Sequence, residues 1–269
     1  MPELPEVETT RRGIAPHLEG HRIRKTVVRQ PQLRWPVPAE VQALKNARVL
    51  AVRRRAKFLL VDTDKGEILL HLGMSGSLRV LPASTPPGKH DHVDLVLDDG
   101  QLLRLNDPRR FGAVLFSATP DSHPLLAHLG PEPLGPDFSG DWLAARARGR
   151  KQSVKTFIMD NRTVVGVGNI YAAESLFLAG IHPSRAAGRV SAERYQRLAE
   201  AIRTVLTRAI KAGGTTLRDF TRADGQPGYF SQSLNVYGRE GEPCRVCGTP
   251  IKGTRHGQRS TCYCPQCQR

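Results

Sequence analysis

LGPEPLGPDFSG, residues 129–140, is half proline and glycine, and it divides the chain into two parts of different periodicity. Before it, short alternating runs dominate: RIRKTVV, VLAVRRRAKFLLVD, EILLHL, SLRVL, HVDLVL, QLLRL and AVLF. Lys65-Gly66 and Asp99-Gly100 sit between such runs as hairpin turns. Several short antiparallel strands predict a sandwich or barrel-like domain. One helix precedes them, over residues 3–12, with Pro5 in its first turn, acids early, Arg11 and Arg12 late, and Gly13 as the stop. After the Pro/Gly stretch the period becomes helical. Helices are predicted over 141–148, 154–161, 169–179 and 191–212. The last is the clearest, with Ser191 as N-cap, Gly213-Gly214 as stop, and Tyr195, Leu198, Ile202, Val205, Ala209 and Ile210 on one face. The fold class is therefore α+β: a domain over 2–130, a linker over 131–140, a helical domain over 141–234 and a cysteine-rich tail over 235–269.

Charge narrows the partners. Forty Lys+Arg against 25 Asp+Glu give +15, and the surplus argues for a polyanion, most often nucleic acid. The cations cluster in three places: Arg48, Arg53, Arg54, Arg55 and Lys57; Arg146, Arg148, Arg150, Lys151 and Lys155; and Arg245, Lys252, Arg255 and Arg259. Three separated patches suit a long groove better than one basic arm. No run is apolar enough to span a bilayer and no secretory pattern opens the chain, so an intracellular, cytoplasmic protein without a membrane partner is expected.

Cys244-x-x-Cys247 and Cys264-x-x-Cys267 are separated by sixteen residues. Paired knuckles at this spacing point to a tetrahedral zinc ribbon, and an intracellular chain disfavours disulfides. One structural Zn²⁺ is expected, because four thiolates leave no position open for water. Cys262 is an odd fifth thiol that breaks the x-x spacing and is read as free. Between the knuckles, GTPIKGTRHGQRSTCY predicts a hairpin with a basic tip.

Three further stretches stay open on the residues alone. VVGVGNIYAAES begins like a dinucleotide fingerprint but lacks the third glycine. It fits a phosphate held at a helix N-terminus beside Asn169, or a plain turn with Asn169 as N-cap. Met74 in HLGMSGS, with Arg109 and Phe111 in NDPRRFG, could fill the gap left by an extruded nucleotide, or be buried in the sandwich. The start, MPELPEVE, places Pro2 behind the initiator methionine and Glu3, Glu6 and Glu8 close after it. Trimming of Met1 would free a secondary amine at Pro2. An α-amino group titrates near about 8, against about 10.4 for lysine, so it offers far more neutral nucleophile. A helix N-terminus lowers that value further, while Glu3 and Glu6 oppose it.

These pieces together resemble the bacterial formamidopyrimidine-DNA glycosylase family. The resemblance rests on PELPEVE, RRAKFLL, HLGMSGSL, KHDHVDL, NDPRRFGA, LGPEPL, MDNRTVVGVGNIYAAESLF, GGTTLRDF and the cysteine knuckles, from residue 2 to residue 267. It implies an N-terminal helix plus antiparallel β-sandwich, then a helix–two-turns–helix domain carrying the zinc ribbon. It implies a bifunctional glycosylase and abasic-site lyase of base excision repair, acting on oxidised purines in double-stranded DNA by β,δ-elimination. By that resemblance Pro2 is the nucleophile, Glu3 the acid beside it and Lys57 a proton donor in elimination. Met74, Arg109 and Phe111 form an intercalating triad. Lys155, Asn169 and Arg259 hold phosphates, Arg259 also steadying the leaving phosphate, and His90 and Arg150 contact DNA. Arg150 and Cys262 depart from the family's usual lysine and aromatic. TTLRDFTRADGQPGYF resembles the family's lid over the flipped base, with an ordinary loop as the other reading. A monomer without a nucleotide cofactor is expected. Two alternatives remain: an endonuclease VIII-like glycosylase for oxidised pyrimidines, and a zinc-ribbon DNA-binding protein without catalysis.

Overall fold

The computed structural model describes residues 2–214 and 233–269. The lid-like stretch TTLRDFTRADGQPGYF lies outside the described residues. Contacts divide the described chain into two compact units, one of residues 2–128 and 212–214, the other of 129–211 and 233–269.

The first unit opens with α1, Leu4–Leu18. Glu3 is its N-cap in a capping box: its side chain accepts from the Glu6 backbone, and Glu6 Oε2 accepts from Glu3 N at 2.9 Å. Gly13 does not end the helix as expected. Ile14 and Leu18 are fully buried, and their burial carries the apolar stripe one further turn, past Pro16 in the last turn.

Eight strands follow: β1 Arg22–Val28, β2 Ala47–Arg55, β3 Phe58–Thr63, β4 Gly66–His71, β5 Ser77–Pro82, β6 Asp91–Leu97, β7 Gln101–Asn106 and β8 Ala113–Ser117, with a short helix α2, Ala39–Gln42, between β1 and β2. They form one antiparallel sheet in the order β5-β7-β6-β1-β2-β3-β4-β8. The β1–β2 seam is short, pairing only Arg22 with Arg48 and Ile23 with Ala47. Strands on both sides of that seam send alternate residues into a single core: Leu59, Val61, Ile68 and Leu70 from one side, Val93, Leu95, Leu103 and Leu105 from the other. α1 packs on β2, β3 and β5, so it touches both sides.

The run VLAVRRRAKFLLVD, read as one stretch, is two strands. The chain reverses at Ala56-Lys57, with Ala56 at φ 54 where a glycine would be expected. No glycine marks the turn, so nothing in composition announced it.

In the second unit, α3 Gly140–Ala147, α4 Val154–Met159, α5 Asn169–Leu178 and α6 Ala192–Lys211 precede a two-stranded hairpin, β9 Lys252–His256 and β10 Arg259–Tyr263. Ser191 Oγ accepts from Arg194 N at 3.4 Å at the start of α6. The Pro/Gly stretch holds no strand, and is helical only from Gly140; it packs within this unit. Phe138 is buried, and Arg203 donates to the carbonyls of Gly135 and Phe138. No helix among the described residues is long and apolar enough to cross a membrane.

Candidate active site, nucleic-acid interface and metal centre

In the first unit, Pro2 is buried directly before α1, and Glu3 beside it is 2% exposed. The capping box uses the Glu3 carboxylate and backbone, which fixes the chain direction at Pro2. Glu6 has a second neighbour. A side chain on Gly214, at φ 83, would come within 3.1 Å of Glu6 Oε1, so only glycine suits that approach.

Lys57 sits half-buried in the β2–β3 turn. Three residues earlier, near the end of β2, Arg54 reaches Ala56 O at 2.9 Å and Glu8 of α1 at 3.2 Å, tying α1 to this hairpin. Arg11 and Arg12 also bind Glu8, and together the cations hold its carboxyl below the ordinary range against the opposing effect of burial. Arg53 is engaged as well, with Asp62, Glu67 and Asp121. The first basic cluster is therefore largely internal, and of it Lys57 is the residue the family resemblance singles out. His71 on β4 pairs across the sheet with Phe58. Burial, then Arg34 and Lys57, push its imidazole down to about 4.

Sequence left Met74 and Phe111 divided between wedge and core. Both are exposed, by 37% and 45%, while neighbouring strand residues are buried. Arg109 is exposed too, with its guanidinium carbon 5.1 Å from the Phe111 ring centre. Their loops meet because of Asp107, a fully buried carboxylate within NDPRRFG that the sequence does not single out. Its oxygens accept from Ser75 Oγ at 3.1 Å, Arg109 N at 3.3 Å and Gly112 N at 2.7 Å. Its own N–H donates to His90 O at 3.0 Å. One side chain and its backbone thus gather the Met74 loop, the Arg109–Phe111 loop and His90.

In the second unit, Asn169 is the first residue of α5, and Gly168 is the N-cap, so the N-cap reading of Asn169 is corrected. Gly166 takes φ 79 in an approach with no strand before it, which removes the dinucleotide reading. Lys155 is 1% exposed. Its ammonium donates to Asn169 Oδ1 at 2.6 Å, Thr261 Oγ1 at 2.6 Å and Ser260 O at 3.2 Å. The Asn169 amide donates to Ser260 O at 3.1 Å. Helix α5 and the hairpin are thereby locked together beside exposed Arg259. A cavity of about 480 Å³ opens there, lined by Lys155, His256, Gly257 and Arg259 among others. Arg150 is exposed before α4.

Sequence reasoning also missed Glu174, buried mid-way along the otherwise apolar α5. It accepts from Asn235 N, Asn235 Nδ2, Val236 N and Tyr237 N at 2.8–3.0 Å. An acid inside NIYAAESLFL was the available signal, since a carboxylate stays buried only when paired or multiply hydrogen-bonded.

The sulfurs of Cys244, Cys247, Cys264 and Cys267 all lie within 4.8 Å of one another. Cys244 and Cys267 are 3.9 Å apart, Cys247 and Cys264 3.5 Å. Tetrahedral zinc with Zn–S bonds of about 2.3 Å requires sulfurs about 3.8 Å apart, so the set fits. Four thiolates this close together repel one another and need a cation among them. Cys262 stands outside the cluster, buried with Phe177, Val236 and Ile251 in a small core; it is a core residue rather than an accessible thiol.

Family models match along the chain: the formamidopyrimidine-DNA glycosylase N-terminal domain at residues 1–114, its H2TH domain at 129–221, and the zinc finger found in FPG and IleRS at 241–269. Together they define a helix–two-turns–helix, zinc-finger DNA glycosylase of base excision repair, a class that also has abasic-site lyase activity. The formamidopyrimidine-DNA glycosylase of Alcanivorax borkumensis is 66% identical over the whole of both chains, and that of Escherichia coli O6:H1 is 59% identical over the whole of both. The crystal structure of the MutM (Fpg) protein from Thermus thermophilus covers 99% of this chain and 98% of its own, at 41% identity and a TM-score of 0.89. A Lactococcus lactis Fpg variant in complex with Fapy-dG-containing DNA covers all of both chains, at 32% identity and a TM-score of 0.92. The chain belongs to the formamidopyrimidine-DNA glycosylase family.

Proposed function

We propose that this chain, trimmed of Met1, excises oxidised purines such as 8-oxoguanine and formamidopyrimidines from double-stranded DNA through the nitrogen of Pro2. The observation that carries the reading is the placement of Pro2 against a helix N-terminus with buried Glu3 as the cap. The positive end of the helix disfavours an ammonium there, against the opposing pull of the Glu3 and Glu6 carboxylates, and the α-amino group's ordinary value already leaves far more neutral amine than a lysine would. The lone pair attacks C1′ of the damaged nucleotide, the C1′–N bond breaks, and the base leaves with a proton. The amine gives up its single N–H, the C1′–O4′ bond then breaks with a proton to O4′, and the product is an iminium, because the nitrogen has no second N–H to lose. That cation draws electrons when the C2′ proton is removed, and the 3′ phosphate departs; a second elimination expels the 5′ phosphate. Glu3 serves the proton transfers of ring opening, and Lys57 donates a proton in elimination.

Met74, Arg109 and Phe111 fill the space of the extruded nucleotide and meet the orphaned base, consistent with their joint exposure. Asn169 and Arg259 hold phosphates, with Lys155 fixing the Asn169 amide from behind, and His90 and Arg150 bind the backbone on either unit. Cys244, Cys247, Cys264 and Cys267 hold one structural Zn²⁺, which orders the hairpin carrying Arg259. The enzyme acts as a monomer without a nucleotide cofactor, since each role above is filled from one chain. The test compares excision from duplexes carrying 8-oxoguanine or thymine glycol. Faster excision of 8-oxoguanine is expected; preference for thymine glycol would favour the pyrimidine-lesion relative instead.

A further inference from the structure

The second unit carries a cationic hollow that the chemistry above does not use. It measures about 500 Å³ and is lined by His182, Ser184, Arg185, Ala186, Arg189 and Arg269. Among the described residues no carboxylate side chain pairs with Arg185, Arg189 or Arg269. Arg185 Nε is covered and has no hydrogen-bond partner, an orphaned donor of the kind that a bound anion or water commonly satisfies. Its charge is felt by its neighbours. Burial and then Arg185 hold His182 below the ordinary imidazole range, and burial, Arg185 and Arg197 lower Arg194. Arg194 turns instead to the carbonyl oxygen of Gly180 and to the α-carboxylate of Arg269, which it engages at 2.6 Å.

Hydrogen bonds join the walls of the hollow to segments carrying residues proposed above to contact DNA. Gly188 N donates to Arg150 O at 2.9 Å and Ala187 N to Gln152 O at 2.9 Å, so the loop bearing Arg189 is strapped to the Arg150 segment. On the other side, Ser184 Oγ lies 3.0 Å from His256 Nε2, and His256 lines the cavity of Lys155 and Arg259. Guanidinium groups bind phosphate by forked, charge-assisted hydrogen bonds, and three of them around one concavity match a phosphodiester.

We infer that Arg185, Arg189 and Arg269 form an additional phosphate subsite that lengthens the contact of this unit with the DNA backbone. The inference rests on the reading that the chain binds DNA. It adds affinity and salt dependence without reading sequence.

The test is equilibrium binding of the full-length, zinc-loaded protein to a labelled duplex of about 30 base pairs with one abasic-site analogue, from about 50 to about 200 mM KCl. The variant is Arg189→Ser with Arg269→Ser, both exposed, with melting temperature and zinc content checking the fold. The control, Arg24→Ser with Arg208→Ser, removes the same charge elsewhere. The slope of log affinity against log salt is expected to be shallower by about 0.9 in the variant, for the one phosphate released, and unchanged in the control. The affinity deficit then shrinks about threefold across that salt range. An unchanged slope, or an equal change in the control, overturns the subsite. Absence of salt-dependent duplex binding by the wild type would instead sink the DNA-binding reading beneath it. Loss of an acidic protein partner with the DNA slope intact would also overturn the proposal.

Discussion

Lys155 Nζ lies 2.6 Å from Asn169 Oδ1, and the same ammonium holds Ser260 and Thr261 of the hairpin. A buried cation is therefore spent on orienting an amide and closing β10 against α5. Any influence it has on a phosphate passes through Asn169 and the hairpin rather than through direct exposure.

Lys155→Met keeps the stem's volume and removes the three hydrogen bonds. Leaving buried acceptors unpaired costs about 1–3 kcal/mol, and the Asn169 amide loses its fixed direction. Thermal denaturation should show the lost stability. Affinity for an abasic duplex should fall at the same time. A variant as stable and as tight-binding as the wild type would contradict the arrangement.

Gly73 takes φ 62, and a side chain there would come within 2.5 Å of Gly112 N and against the Phe111 backbone. Gly73→Ala should part the Met74 loop from the Phe111 loop. Excision from duplex should drop by an order of magnitude or so, because the wedge is misplaced, at a strain of about 1–2 kcal/mol. Borohydride trapping on a single-stranded abasic site needs no extrusion and should be far less affected. Equal losses on both substrates would argue against a wedge.

His71 should stay neutral well into acid. Its folded pKa, about 4, lies below its unfolded value of about 6.5, so the stability it contributes is present above 6.5 and is lost as pH falls toward 4. Imidazole resonances followed by NMR should titrate near 4. In Lys57→Met the midpoint should move up, since one of the charges opposing protonation is gone. A midpoint near 6.5 in the wild type would contradict the burial.

Chelation should act on the hairpin first. The small core of Phe177, Val236, Ile251 and Cys262 is joined to the cysteines Cys244 and Cys264. Removing zinc, or making Cys264→Ser, should release the hairpin that carries Arg259, and DNA binding with it. Metal analysis should find about one zinc per chain before treatment. Full binding by metal-free protein would contradict the assignment.

Much of this was readable in residue order, for reasons that differ by element. The strands and α6 announced themselves through period, and the knuckles through spacing that tolerates little else. α1 was cut short because Gly13 outweighed Ile14 and Leu18 in a local reading, although burial of those two decides its length. The Ala56-Lys57 turn was hidden because tertiary pairing, not a turn residue, imposes its left-handed backbone. Asp107 and Glu174 escaped because their meaning lies in partners up to 32 and 63 positions away, a distance no local pattern spans. Basic clusters could be counted, but not sorted into internal ion pairs such as Arg53–Asp62 and exposed cations such as Arg150.

The central claim concerns one nitrogen. The purified protein is incubated with an 8-oxoguanine duplex and borohydride, and the cross-linked peptide is sequenced by mass spectrometry. The account predicts a chain lacking Met1, with the reduced sugar attached to the nitrogen of Pro2. A cross-link on Lys57 or another lysine, or efficient excision by protein that retains Met1, would contradict it.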